Sequence, residues 1–128
     1  MNIVDSSGWL EYFAEGGNAE FFAPAIEDTK NLLVPVICMY EVFKKLLQQS
    51  GLNEAQIHVS DMKQGKIVEI DESLALSAAK LSAELKLPMA DSLILATARA
   101  NNATLWTQDE HFKDLDGVKY RLIGNRRD

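Results

Sequence analysis

The chain has 128 residues, 47% hydrophobic and 25% charged, with three prolines and seven glycines, the length and composition of one ordinary globular domain rather than of a disordered or low-complexity chain. Thirteen Lys and Arg against nineteen Asp and Glu leave a formal charge of -6, which excludes gripping nucleic acid by bulk attraction to phosphate unless clustered acids hold cations that present a positive centre. The apolar run 32–40 carries Pro35 and is too short to cross a membrane, residues 2–5 lack the pattern of a secretory signal, and the lone Cys38 fits a reducing compartment, so a cytoplasmic protein is expected.

In chain order, residues 2–5 read as a short apolar segment and 7–14 as a helix with Trp9, Leu10 and Phe13 on one face, broken by Gly16-Gly17. A second helix spans 18–28, with Asn18 suited to its cap and Phe21, Phe22, Ala25 and Ile26 at core-facing spacing. Residues 32–37 form a buried strand whose Pro35 suggests an edge or end position. Helices follow over 38–49 and, more weakly, 53–63, then a strand over 66–70 and a strong helix over 72–86. Pro88 opens the helix 89–100, apolar nearly all round at Leu93-Ile94-Leu95-Ala96 and so sandwiched inside the fold. Strands over 104–107 and 119–123 complete the chain. Strands alternating with segments too long for hairpins imply parallel crossovers, hence α/β: a three-layer α/β/α sandwich with a central, mainly parallel sheet in one domain, residues 1–128.

In such sheets ligands bind beyond the carboxyl ends of the strands. Asp5 ends the first strand, Asp109 follows a later one, Asp91 lies in the first turn of the buried helix, and Glu41 sits one turn into the helix after the second strand. Each has an ordinary explanation: caps for Asp5 and Asp109, the helix dipole for Asp91, an i,i+4 pair with Lys45 for Glu41. Together they place four carboxylates at one end of the sheet, a donor set suited to Mg²⁺ or Mn²⁺. His58 and His111 are far apart and Cys38 is alone, so zinc spacing is missing. His58 reads as a surface residue, and His111 as a hydrogen-bonded turn residue near enough to Asp109 to touch substrate. There is neither a phosphate-cradling glycine loop nor a nucleophile elbow.

Four stretches carry a family resemblance: Ile3-Val4-Asp5-Ser6-Ser7, Val36 through Glu41, Pro88 through Ala98, and Leu105-Trp106-Thr107-Gln108-Asp109-Glu110-His111-Phe112. In order and spacing they resemble the PIN-domain ribonucleases, most closely the small VapC-type toxins of toxin–antitoxin pairs. The resemblance implies a PIN-like fold and a Mg²⁺- or Mn²⁺-dependent endoribonuclease. It matches Asp5, Glu41, Asp91 and Asp109 to the metal-binding acids, and Ser7 and Thr107 to supporting polar positions. It further implies a homodimer inhibited by an antitoxin whose C-terminal segment reaches the active site. Lys44, Lys45, Arg99, Arg121 and the segment through Arg127 are candidates to hold the RNA backbone. Phe21, Phe22, Tyr40 and Phe43 are expected to leave apolar surface for a second copy or an antitoxin helix. Two other classes compete: a catalytically idle PIN-fold module acting through a protein partner, and a receiver-like phosphoacceptor, which would want paired acids where Asp5 is followed by serines.

Overall fold

Ile3 and Val4 are fully buried, and the strand that carries them, β1 (Asn2–Val4), lies at the centre of the sheet. The computed structural model describes residues 1–124. After β1 come helices α1 (Ser6–Phe13) and α2 (Ala19–Glu27), strand β2 (Leu32–Pro35), helices α3 (Val36–Ser50) and α4 (Leu52–Met62), and strand β3 (Lys66–Val68). Helices α5 (Glu72–Leu85) and α6 (Met89–Ala100), then strands β4 (Thr104–Thr107) and β5 (Val118–Tyr120), follow. The five strands run in the order β3-β2-β1-β4-β5, and every pairing among the described residues is parallel. Helices pack in pairs, α1 with α2, α3 with α4 and α5 with α6, giving the three-layer α/β/α sandwich. Among the described residues no helix is long and apolar enough to cross a membrane.

The order of the strands decides where a site can form. The chain builds outward from β1 through β2 to β3, then returns to lay β4 and β5 on the other side. The reversal falls between β1 and β4, paired as Val4 with Trp106, and a crevice opens beyond the carboxyl ends of strands at such a switch point. Helix α6 is buried continuously from Ser92 to Ala98, as its all-round apolar sequence requires, which fixes its amino end at that crevice.

Several boundaries and roles differ from the sequence reading. The strand expected over 32–37 stops at Pro35, and Val36 already begins α3. Proline lacks the N–H a ladder needs, and its φ of -60° leads into a helix. Pro35 therefore marks the end of β2, which is an interior strand between β1 and β3. The strands expected over 66–70 and 119–123 are three residues each, Lys66–Val68 and Val118–Tyr120. Asn18 does not cap α2 with its side chain. Its Nδ2 donates instead to Gln108 Oε1 at 3.0 Å and to the Leu122 carbonyl at 3.1 Å, tying the start of α2 to the loop after β4.

Candidate functional site

Asp5 follows β1 and is 2% exposed. A charge in that position needs donors, and three are built around it. Ser7 Oγ donates at 2.8 Å, the Gly8 backbone N–H at 3.0 Å, and Thr107 Oγ1 at 2.7 Å from the end of β4. Thr107 Oγ1 in turn accepts from the Asp109 backbone N–H at 2.9 Å, so one hydroxyl links the two strand-end acids across the switch point. Both acids also cap, as their ordinary explanation holds: Asp5 accepts from Gly8 at the start of α1, and Asp109 Oδ1 accepts from the His111 N–H at 2.9 Å in a turn at Glu110–Phe112.

Helix α6 brings Asp91 to the same crevice, where Oδ2 lies 2.7 Å from His111 Nδ1. The same imidazole nitrogen is 3.2 Å from Asp109 Oδ1. Asp91, Asp109 and His111 each offer a ligand atom within 4.8 Å of the others. Glu41 on α3 accepts from Ser6 Oγ at 2.6 Å rather than pairing with Lys45.

The electrostatics show one crowded cluster. Burial pushes Asp5 from the ordinary 3.8 up to about 7, opposed by the hydrogen bonds from Thr107, Gly8 and Ser7 and assisted by the charge of Asp109. Asp91 is raised by desolvation first and by Asp109 next, with Glu41 adding to the rise and His111 opposing it. His111 is raised chiefly by its hydrogen bond to Asp91 and by the charge of Asp109. Burial holds the Cys38 thiol well above its ordinary value, and Asp5, Glu41 and Asp91 contribute. Its Sγ lies 3.8 Å from the Val4 carbonyl oxygen, so it packs beneath the acids as an inert thiol.

The PIN domain profile matches residues 3–118. The chain belongs to the PIN domain family. No curated protein sequence matches the chain. Among solved structures, this PIN domain resembles a chain from a toxin–antitoxin complex of Klebsiella pneumoniae, with a TM-score of 0.76 and 22% identity, covering 93% of this chain and 96% of that one. A chain of VapBC2 from Rickettsia felis, bound to a DNA fragment of its promoter, gives a TM-score of 0.73 at 15% identity over 96% and 98%. VapC20 of Mycobacterium tuberculosis, a toxin that cleaves the sarcin-ricin loop, gives 0.70 at 13% identity over 88% and 92%. At these identities the likeness is one of fold. Family membership replaces the receiver-like reading.

The other residues singled out from the PIN domain's sequence divide by position. Lys44 and Lys45 share a cleft of about 200 Å³ with Tyr40, Glu41 and Gln48. The Arg121 guanidinium stacks over Phe21 at 4.9 Å, and the Arg121 backbone N–H donates to the Thr107 carbonyl at 3.0 Å. Arg99 ends α6, beside Asn102, Thr104 and Gly117, at the opposite end of β4 from Asp109. Arg126 and Arg127 lie outside the described residues. Of the aromatics expected at the surface, Phe22 is wholly buried, Phe21 and Phe43 are partly buried against the core, and Tyr40 is 60% exposed. His58 is half-buried rather than a surface residue, its ring 4.2 Å from that of Phe13. The sequence reading undervalued two residues. His111 joins the acids, and the signal was its spacing two after Asp109 with an apolar Phe112 next. Ser6 donates to Glu41, and only its place after Asp5 hinted at that.

Proposed function

We propose that this PIN domain is a Mg²⁺- or Mn²⁺-dependent endoribonuclease, the VapC-type toxin of a toxin–antitoxin pair, acting in the cytoplasm. PIN domains are nucleases, and the solved neighbours include toxin–antitoxin complexes and an RNA-cleaving toxin. The single observation that carries the metal reading is that Asp91, Asp109 and His111 each offer a ligand atom within 4.8 Å of the others at the β1/β4 switch, with Asp5 joined to Asp109 through Thr107. Burial first, and the charge of Asp109 after it, raise both Asp5 and Asp91, and a bound cation would favour their ionised forms.

Asp5, Asp91 and Asp109 would hold the ion, with Glu41 directly or through water. Once bound, the ion supplies a Lewis acid for a phosphodiester oxygen and an activated water. The chain's own residues do the positioning. Ser7, Gly8 and Thr107 fix Asp5 by its two oxygens, and Thr107 holds the Asp109 backbone beside it. Ser6 aims Glu41. Lys44 and Lys45, which share a cleft with Glu41, would take the phosphates of an RNA strand.

The deciding experiment is cleavage of a structured RNA with Mg²⁺, Mn²⁺ or chelator. The Asp91→Asn variant keeps the volume and loses the ligand charge, so its rate is expected to fall at least about a hundredfold while the fold is retained. Cleavage by the variant at the parent's rate would discard the site. We also propose a homodimer and a docking surface for an antitoxin helix. Tyr40 and Leu47 on α3, Leu76 on α5 and Met89 on α6 are exposed, apolar surface that a second copy or an antitoxin helix would cover. A monomeric mass by light scattering at micromolar concentration would remove the dimer.

A further inference from the structure

We propose that His111 is a nitrogen ligand to the cation held by Asp91 and Asp109, and that this imidazole tilts the site toward Mn²⁺ over Mg²⁺. The inference rests on the metal reading above and adds to its all-carboxylate ligand set a donor of different softness. Nδ1 is 2.7 Å from Asp91 Oδ2 and 3.2 Å from Asp109 Oδ1. Adjacent donors around an octahedral ion with bonds of about 2.1 Å lie about 3 Å apart. Nδ1 is thus already spaced from both oxygens as a neighbour on one coordination sphere, and all three residues offer atoms within 4.8 Å of one another.

The imidazole is delivered by a built turn. The His111 N–H donates to Asp109 Oδ1 and the Asp109 N–H donates to Thr107 Oγ1, while the Phe112 N–H donates to the Asp109 carbonyl at 3.1 Å and its ring is wholly buried. The side chain itself is 56% exposed, so apolar packing does not account for where it points. Both described partners of Nδ1 are the carboxylates of Asp91 and Asp109. Imidazole is a borderline donor that first-row transition ions accept, Mn²⁺ the most weakly of them, whereas Mg²⁺ selects oxygen and gives up water reluctantly, so a nitrogen ligand costs Mg²⁺ more than Mn²⁺. The competing role is that of a counter-charge, which an arriving cation would expel.

The two roles separate by spectroscopy and by calorimetry, neither of which reads catalysis. Untagged full-length protein loaded with Mn²⁺ alone is examined by electron spin-echo envelope modulation, and Mn²⁺ and Mg²⁺ are titrated separately into parent and His111→Ala. The parent is expected to show the ¹⁴N coupling of a directly bound imidazole. Since His58 is the other histidine and stacks on Phe13, the signal belongs to His111 and vanishes in the variant. The ratio of Mn²⁺ to Mg²⁺ affinity is expected to fall on the order of tenfold in the variant. Mn²⁺ bound to the parent without nitrogen coupling, or an unchanged ratio, overturns the proposal and leaves the carboxylate site standing. A parent that binds neither ion removes the metal reading and this proposal with it. The spectrum of the parent decides the point even if the variant folds poorly.

Discussion

Asp5 combines near-complete burial with three hydrogen-bond donors, and burial wins, since its carboxyl is raised to about 7 in spite of them. In the unfolded chain the same group titrates near 3.8. A carboxyl whose folded value is raised contributes stability that is full below the unfolded value and is lost as pH climbs through the folded one. Between pH 4 and 7 the metal-free parent should therefore lose on the order of 4 kcal/mol through this group alone. Asp5→Asn has no proton to lose there, and its amide can donate to Thr107 Oγ1. Denaturant unfolding in chelator at pH 5 and pH 8 should show the variant gaining on the parent as pH rises, and matching or exceeding it at pH 8. A gap independent of pH would mean that burial does not govern Asp5. The sequence placed this acid correctly after a buried strand. What it left open was how dry the position is, because Thr107 and Trp106 arrive from a strand about a hundred residues away.

Helix α1 owes its position to a glycine. A Cβ on Gly8 would lie 2.6 Å from Val4 Cγ1 and 2.7–2.8 Å from the Phe22 ring, so the helix passes closer to β1 and α2 than any other residue permits. Gly8→Ala should destabilise the protein by about 1–3 kcal/mol. It also shifts the N–H that holds Asp5, so RNA cleavage should fall together with the urea midpoint. Wild-type stability in that variant would show that the close approach relaxes freely. At this scale the sequence was most legible where a helix is strongly apolar, on one face as in α5 or nearly all round as in α6. It misled at Asn18, where local propensity pointed to a cap and the tertiary partners decided otherwise, while at Pro35 the end position it suggested holds and the edge alternative does not. Pro35 ends an interior strand, and Asn18 reaches across to Gln108.

For the molecule as a whole, the proposed metal site would leave its acids repelling one another, with only His111 between two of them, while no cation is held. Two carboxylates about 5 Å apart repel by roughly 3 kcal/mol at an effective dielectric near 20. A cation that binds only the folded state adds about 2.7 kcal/mol at a hundred times its dissociation constant. Mn²⁺ should accordingly raise the melting temperature by several degrees over chelator. Asp109→Asn should melt at or above the parent without metal and gain less with it. Caps alone would predict the opposite pattern, with each Asn change neutral or destabilising and divalent ions inert. An unresponsive parent would sink the metal centre.

By itself the sequence determined the alternation of strands and helices, the parallel sheet, and the places of four acids: Asp5 and Asp109 after strands, Glu41 on the helix after β2 and Asp91 in the first turn of α6. These are local facts, written in hydrophobic period and in the residue that follows each apolar run. Only the tertiary structure decided that β1 and β4 are neighbours, that Thr107 bridges Asp5 to the backbone of Asp109, and that His111 stands between Asp91 and Asp109. Strand order is set by which apolar faces pack together across long separations, and a side chain's partners in a crevice depend on distances between elements that no local pattern encodes.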